Sequence, residues 1–280
     1  GSEMCIRDSM RALDGVIIVV CAVEGIMPQT ETVIRQALKE KVKPVLFINK
    51  VDRLIAELQV TPDDMMQRFG KIITEVNKLI SRMVPDEFKK EWMVDAQAGT
   101  VAFGSAYHNW ATSIPFMAKK NVNFKQIYDF MEKEQRKELA QAAPLHEVLL
   151  DMIVEKLPPA SVSQKYRIPH IWRGEAEEEI GQAMVNAEPT GDAAFMVTKV
   201  VLDPHAGEIA VGRLFSGTIK KGDQMYVAGM PSANRVQSVG MFVGADRIAT
   251  ENVTAGNIIA VSGPVSYTHL RAHETLRYLV

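Results

Sequence analysis

Residues 45–52 read Val-Leu-Phe-Ile-Asn-Lys-Val-Asp, an apolar run that passes without interruption into Asn49-Lys50-Val51-Asp52. The apolar part has the length of a strand buried on both faces of a sheet. Lys43-Pro44 opens it. Upstream, Pro28 to Glu40 has the period of a helix, with Val33, Ile34, Ala37 and Leu38 on one face. Before that helix, Val16 to Ala22 is a second apolar run, rich in β-branched residues and too short to span a membrane. Val23-Glu24-Gly25 turns the chain between them. The succession is a strand–helix–strand unit, so the two strands are expected to be parallel. Open parallel sheets bind ligands at the carboxyl ends of their strands, which is where Asn49 to Asp52 stand.

Asn-Lys-x-Asp in that position resembles the guanine-reading motif of GTP-binding proteins. Its chemistry explains the residue types. A carboxylate at Asp52 can accept hydrogen bonds from guanine N1–H and from the exocyclic amine. Adenine offers no such pair, and a site built for these donors rejects a base that lacks them. Asn49 is expected to tie the loop to its neighbours, the Lys50 stem to cover one face of the base, and Val51 to complete the motif. Further on, Thr100 to Phe103 is another short apolar run, ending in Gly104-Ser105-Ala106. In such folds a Ser-Ala at this place offers backbone N–H to guanine O6, which adds Ser105 and Ala106 to the candidate base site.

Between these strands, Thr61-Pro62-Asp63-Asp64 is a helix start: a capping hydroxyl, proline in the first turn, and acids at the positive end of the dipole. Met65, Met66, Phe69, Ile72, Ile73, Val76, Leu79, Ile80 and Met83 follow at helical spacing and read as core. This helix and the stretch from Pro85 to Gly99 read as an insertion between the base-reading motif and the next strand. A phosphate-binding loop needs Gly-x-x-x-x-Gly-Lys-Ser/Thr. The Gly70-Lys71 pair has Met65 and Ile72 where that pattern needs Gly and Ser/Thr, and no Asp-x-x-Gly occurs. The expectation is an N-terminally truncated sheet that carries base recognition without the phosphate half. No catalytic residue is assigned, and no magnesium ligand.

The chain has 280 residues, 47% of them hydrophobic, with a net charge of −2. That suggests about two domains and no overall basic field. Cys5 and Cys21 frame no disulfide scaffold, which fits a reducing cytoplasm. His269 and His273 beside Glu274 lack a third ligand for zinc, and no metal site is expected. Phe124 to Leu139 and Pro144 to Leu157 read as amphipathic helices stopped by Pro158-Pro159. Residues 158–190 read as a polar linker. From Asp192 the period changes to short strands separated by glycine turns, the pattern of a small antiparallel barrel over 191–263. The first domain is expected over 10–157. Residues 1–9 and 264–280 resemble translated adapter sequence and are set aside as non-native tails.

Gly212-Arg213-Leu214-Phe215-Ser216-Gly217, Lys221-Gly222-Asp223 and Ala255 to Ala260 resemble the second-domain barrel of the translational GTPases. Together with Ala22 to Gly25, Pro28 to Glu31, Asn49 to Arg53 and Phe103 to Ala106, the chain resembles the elongation factor 2 family, over about Met10 to Gly263. The resemblance implies a P-loop GTPase-type α/β domain followed by a β-barrel, with GTP/GDP as nucleotide and magnesium in the intact parent. It also implies a monomer that acts on the ribosome in the cytoplasm, with no membrane partner, to move tRNA and mRNA. Lys199, Arg213, Lys220, Lys221 and Arg235 are then candidate contacts to RNA phosphate. His108, His146, His170 and His205 read as structural histidines. A bacterial-type translocase, or an inactive fragment that retains a ribosome-binding barrel, is the alternative.

Overall fold

The computed structural model describes residues 9–120, 124–133, 135–203, 207–226, 233–244, 246–263 and 278–279. The expected tails fall almost wholly outside these residues, as does His205. The chain divides into two compact units, Gly15–Leu157, and Gly1–Asp14 together with Pro158–Val280.

In the first unit, β1 (Gly15–Cys21), β2 (Lys43–Asn49) and β3 (Val101–Ser105) are parallel, and β4 (Trp110–Thr112) runs antiparallel to β3. The sheet order is β1-β2-β3-β4. Val45, Leu46, Phe47 and Ile48 of β2 are all buried, as an inner strand covered on both faces requires. The register Cys21↔Asn49 and Ile48↔Phe103 brings the carboxyl ends of the three parallel strands side by side.

Helices flank the sheet. α1 (Pro28–Lys39) turns Ile34, Ala37 and Leu38 inward. The short α2 (Val51–Ala56) follows β2 directly, held by buried Val51, Leu54 and Ile55. α3 (Pro62–Met83) starts as expected, with the Asp64 N–H donated to Thr61 Oγ1 at 3.2 Å. Met65 is buried, whereas Met66 is 49% exposed and leaves the methionine stripe expected as core. Phe69 of α3 stacks on Phe103 of β3 with ring centroids 4.7 Å apart. After α4 (Asp86–Trp92) and α5 (Ile114–Lys120), the single helix expected over 124–139 is divided into α6 (Phe124–Glu132) and α7 (Arg136–Ala142). α8 (Leu145–Lys156) closes the unit.

In the second unit the segment expected as a linker carries two helices, α9 (Ala160–Ile171) and α10 (Glu179–Val185). Ile168, Ile171 and Met184 form a core with Ala194, Met196 and Phe215. The linker reading failed because much of the buried face of α9 is polar. Ser163, Gln164 and Arg167 lie on it, and only Ile168 and Ile171 are apolar. Gln164 donates to the carbonyls of Met184 and Phe215, the latter at 2.9 Å. Pro158-Pro159 ends α8 and leads into α9, since Pro159 is its N-cap.

The strands are antiparallel, in the order β11-β10-β13-β6-β5-β14. They are β5 (Ala194–Asp203), β6 (Gly207–Ser216), β10 (Ser238–Val243), β11 (Asp246–Thr250), β13 (Ile258–Ser262) and β14 (Tyr278–Leu279). The short pairs β7 (Thr218–Lys220) with β12 (Asn252–Thr254), and β8 (Gln224–Tyr226) with β9 (Ala233–Arg235), complete the layer. One core, including Phe195, Leu214, Ile219, Val239, Val253 and Ile259, serves all three sheets. Among the described residues no pairing closes the six-stranded sheet into a ring.

Candidate functional site

The site grows from the end of β2. The Ala22 N–H is donated to the Asn49 carbonyl at 2.8 Å, which fastens the ends of β1 and β2 together. Lys50 then takes a left-handed conformation, φ 64° and ψ 34°, and this single residue turns the strand into α2. Such a conformation costs a non-glycine residue free energy and is held by its surroundings. Here the restraint is Asn49, whose Oδ1 accepts the Lys50 N–H at 2.8 Å. The same Oδ1 accepts the Ala106 N–H at 2.9 Å. One side-chain oxygen thus ties the loop after β2 to the loop after β3. In this structure the Ala106 N–H, expected to face guanine, is donated to Asn49.

Ser105 and Ala106 begin a tight connection between β3 and β4. Ser105 is 1% exposed. Its Oγ accepts the His108 N–H at 3.3 Å, and Asn109 at φ 56° completes the turn. Gly104 is needed just before it, because a Cβ there would lie 2.3 Å from the Trp110 carbonyl oxygen.

Asp52 lies in the first turn of α2, with its side chain 15% exposed. Its Oδ1 is buried without a hydrogen-bond partner, and its Oδ2 is 3.6 Å from His108 Nε2. The next residue, Arg53, donates Nε–H to Glu57 Oε2, one turn on, at 2.9 Å. That hydrogen bond and the charge of Glu57 hold the guanidinium above its ordinary range.

These groups surround a cavity of about 520 Å³, the size range of small-molecule sites. Asn49, Lys50, Asp52 and Ser105 line it, joined by Arg53, Ala56, Glu57, Tyr107, His108, Met131 and Arg136. Val51 is buried beneath, 1% exposed, and anchors the helix. The sequence motif therefore converges in space, although Ala106 takes part through its backbone bond to Asn49. Sequence reading missed His108, Met131 and Arg136. Met131 and Arg136 come from helices with no motif of their own, and His108 was read as structural. The Arg136 Nε is buried without a partner, as is Asp52 Oδ1.

Asp52, one oxygen of which is buried without a partner, is thus gathered with Asn49, Lys50 and Ser105 around one cavity. Among the described residues no group of three His, Cys, Asp or Glu gathers. Arg213, expected at an RNA surface, is buried and pairs with Asp14 Oδ2 at 2.8 Å. Lys199, Lys220, Lys221 and Arg235 are exposed. Among the described residues no helix is long and apolar enough to cross a membrane.

Comparison with known proteins gives the family of the chain. The family described as "Elongation factor Tu GTP binding domain" matches residues 3–159, and "Elongation factor G domain 2" matches residues 192–272. Elongation factor 2 of Methanococcus vannielii is 58% identical over 255 residues, covering 91% of this chain and 35% of that protein. The Picrophilus torridus protein of the same name is also 58% identical, and that of Pyrococcus abyssi 57%, with the same coverage. The chain thus spans about a third of the length of the relatives it matches. It belongs to the translational GTPase family built on the elongation factor Tu GTP-binding domain, with elongation factor 2 proteins as its homologues.

Proposed function

We propose that this chain supplies the guanine-recognition part and the second domain of an elongation factor that uses GTP hydrolysis to move tRNA and mRNA through the ribosome in the cytoplasm. The observation that carries the reading is the buried, unpartnered Oδ1 of Asp52, a residue that lines one cavity together with Asn49, Lys50 and Ser105. A buried acceptor without a donor is costly, and a ligand that brings a donor removes the cost. Guanine brings two, N1–H and the exocyclic amine. Asn49 and Ser105 hold the loops that frame it, and Lys50 covers the base with its stem. The exposed Lys199, Lys220, Lys221 and Arg235 are the candidate contacts of the second domain to ribosomal RNA.

The test places this chain in the matching segment of the Methanococcus vannielii relative and measures nucleotide binding. Asp52→Asn turns an acceptor into an amide that faces guanine's own donors. GDP affinity should fall at least ~100-fold, and xanthosine diphosphate should bind the variant better than GDP does. If Asp52→Asn retains GDP and gains nothing for the xanthine nucleotide, Asp52 does not read the base.

A further inference from the structure

His108 stands at the rim of the base cavity, with Nε2 3.6 Å from Asp52 Oδ2 and both side chains 15% exposed. The other charged groups that line the cavity are Lys50, Arg53, Glu57 and Arg136. Arg53 is engaged by Glu57, and no Lys or Arg pairs with Asp52 among the described residues. The Tyr107 ring meets the imidazole edge-on, with centroids 4.9 Å apart. The backbone fixes His108 there, through its N–H to Ser105 Oγ and the turn at Asn109.

We infer that His108 makes guanine binding depend on pH by competing for Asp52: the protonated imidazole takes the carboxylate in place of the guanine edge, so base and proton exclude one another. This rests on the reading of Asp52 as the guanine reader. Guanine's two adjacent donors need both carboxylate oxygens. An imidazolium needs one, and adds a full charge. To reach hydrogen-bond distance, about 2.8 Å, the ring has to move less than one ångström. Neutral His108 lacks the charge and yields the site. Histidine is the side chain that changes charge between about pH 5 and 8, so acid should weaken guanine binding.

The experiment uses the 280-residue chain and guanosine, which has no phosphate to titrate in this range. Binding is followed by NMR shifts of the Ala106 and Lys50 amides at pH 5.5 and 8.0. The parent should bind guanosine about three- to tenfold more weakly at pH 5.5, and His108→Gln should bind it equally at both. Equal binding by the parent at both pH values, tighter binding in acid, or a pH dependence that survives in His108→Gln each overturns the inference and leaves the base reading standing. Absence of guanosine binding at either pH instead removes the base reading, and the inference with it.

Discussion

Asn49 carries more of the site than its place in a four-residue motif suggests. Its Oδ1 accepts from Lys50 and from Ala106, and so uses both lone pairs on two loops that are distant in sequence. Asn49→Ala removes both bonds and leaves the strained Lys50 without its local acceptor. The expected result is a loss of about 1–3 kcal/mol in denaturant unfolding, with weaker guanine binding. Gly104 is sensitive for a different reason. A methyl group there would meet the backbone of Trp110 and Ala111, which cannot yield as a side-chain tip can. Gly104→Ala should therefore cost about 1–3 kcal/mol and displace the Ser105–Ala106 turn, visible as shifted amide resonances.

Among the elements, α3 and β1 are the most exposed to test. Thr61 accepts the Asp64 N–H and donates its hydroxyl to Asp64 Oδ2 at 2.7 Å, so it caps the helix in both directions. Thr61→Ala should destabilise the first unit by about 0.5–2 kcal/mol, read from its urea midpoint. Strand β1 ends the sheet and, among the described residues, pairs only with β2. Val19 on it is 52% exposed and adjoins an apolar groove of about 270 Å³ lined by Val16, Ile18 and Val33. An apolar edge of this kind favours association between chains. Val19→Lys should lower the concentration-dependent light scattering of the chain, and an unchanged signal would locate the association elsewhere.

At the scale of the molecule, the second unit is held by a buried charged cluster rather than by strands alone. Asp14 pairs with Arg213 at 2.8 Å and with Arg167 at 3.7 Å, and accepts from Ser163. Arg167 also donates to the Met10 and Arg11 carbonyls, each at 2.9 Å. Removing one partner of such a cluster leaves the others as uncompensated buried charge. Asp14→Ala should cost about 3–5 kcal/mol in the unfolding of this unit. The strands from 191 to 263 alone should be unstable, because Ala194, Met196 and Phe215 lose their cover from α9 and α10. Adding residues 158–190 together with the segment from Met10 to Asp14 should restore cooperative unfolding. The whole chain should hydrolyse no GTP measurably above a no-protein control, since phosphoryl transfer depends on a phosphate loop that its sequence does not contain.

The sequence by itself determined the three parallel strands and the two long helices through residue 105, the Thr61 cap and the place of Asn49-Lys50-Val51-Asp52 after its strand. These follow from local rules: unbroken apolar runs, helical period, capping chemistry and the spacing of four residues on one loop. It also announced the change to antiparallel strands near Asp192. The tertiary structure decided what depends on partners distant in the chain. It placed Arg213 in a buried cluster instead of on a surface, because Asp14 lies beside it with the opposite charge. Residues 158–190 fold as helices because the acceptors for their polar face, Phe215 O and Asp14, come from elsewhere in the sequence. It brought His108 to Asp52 as well. No local pattern distinguishes that histidine from His146 or His170, and only the turn between β3 and β4 sets its ring against the carboxylate.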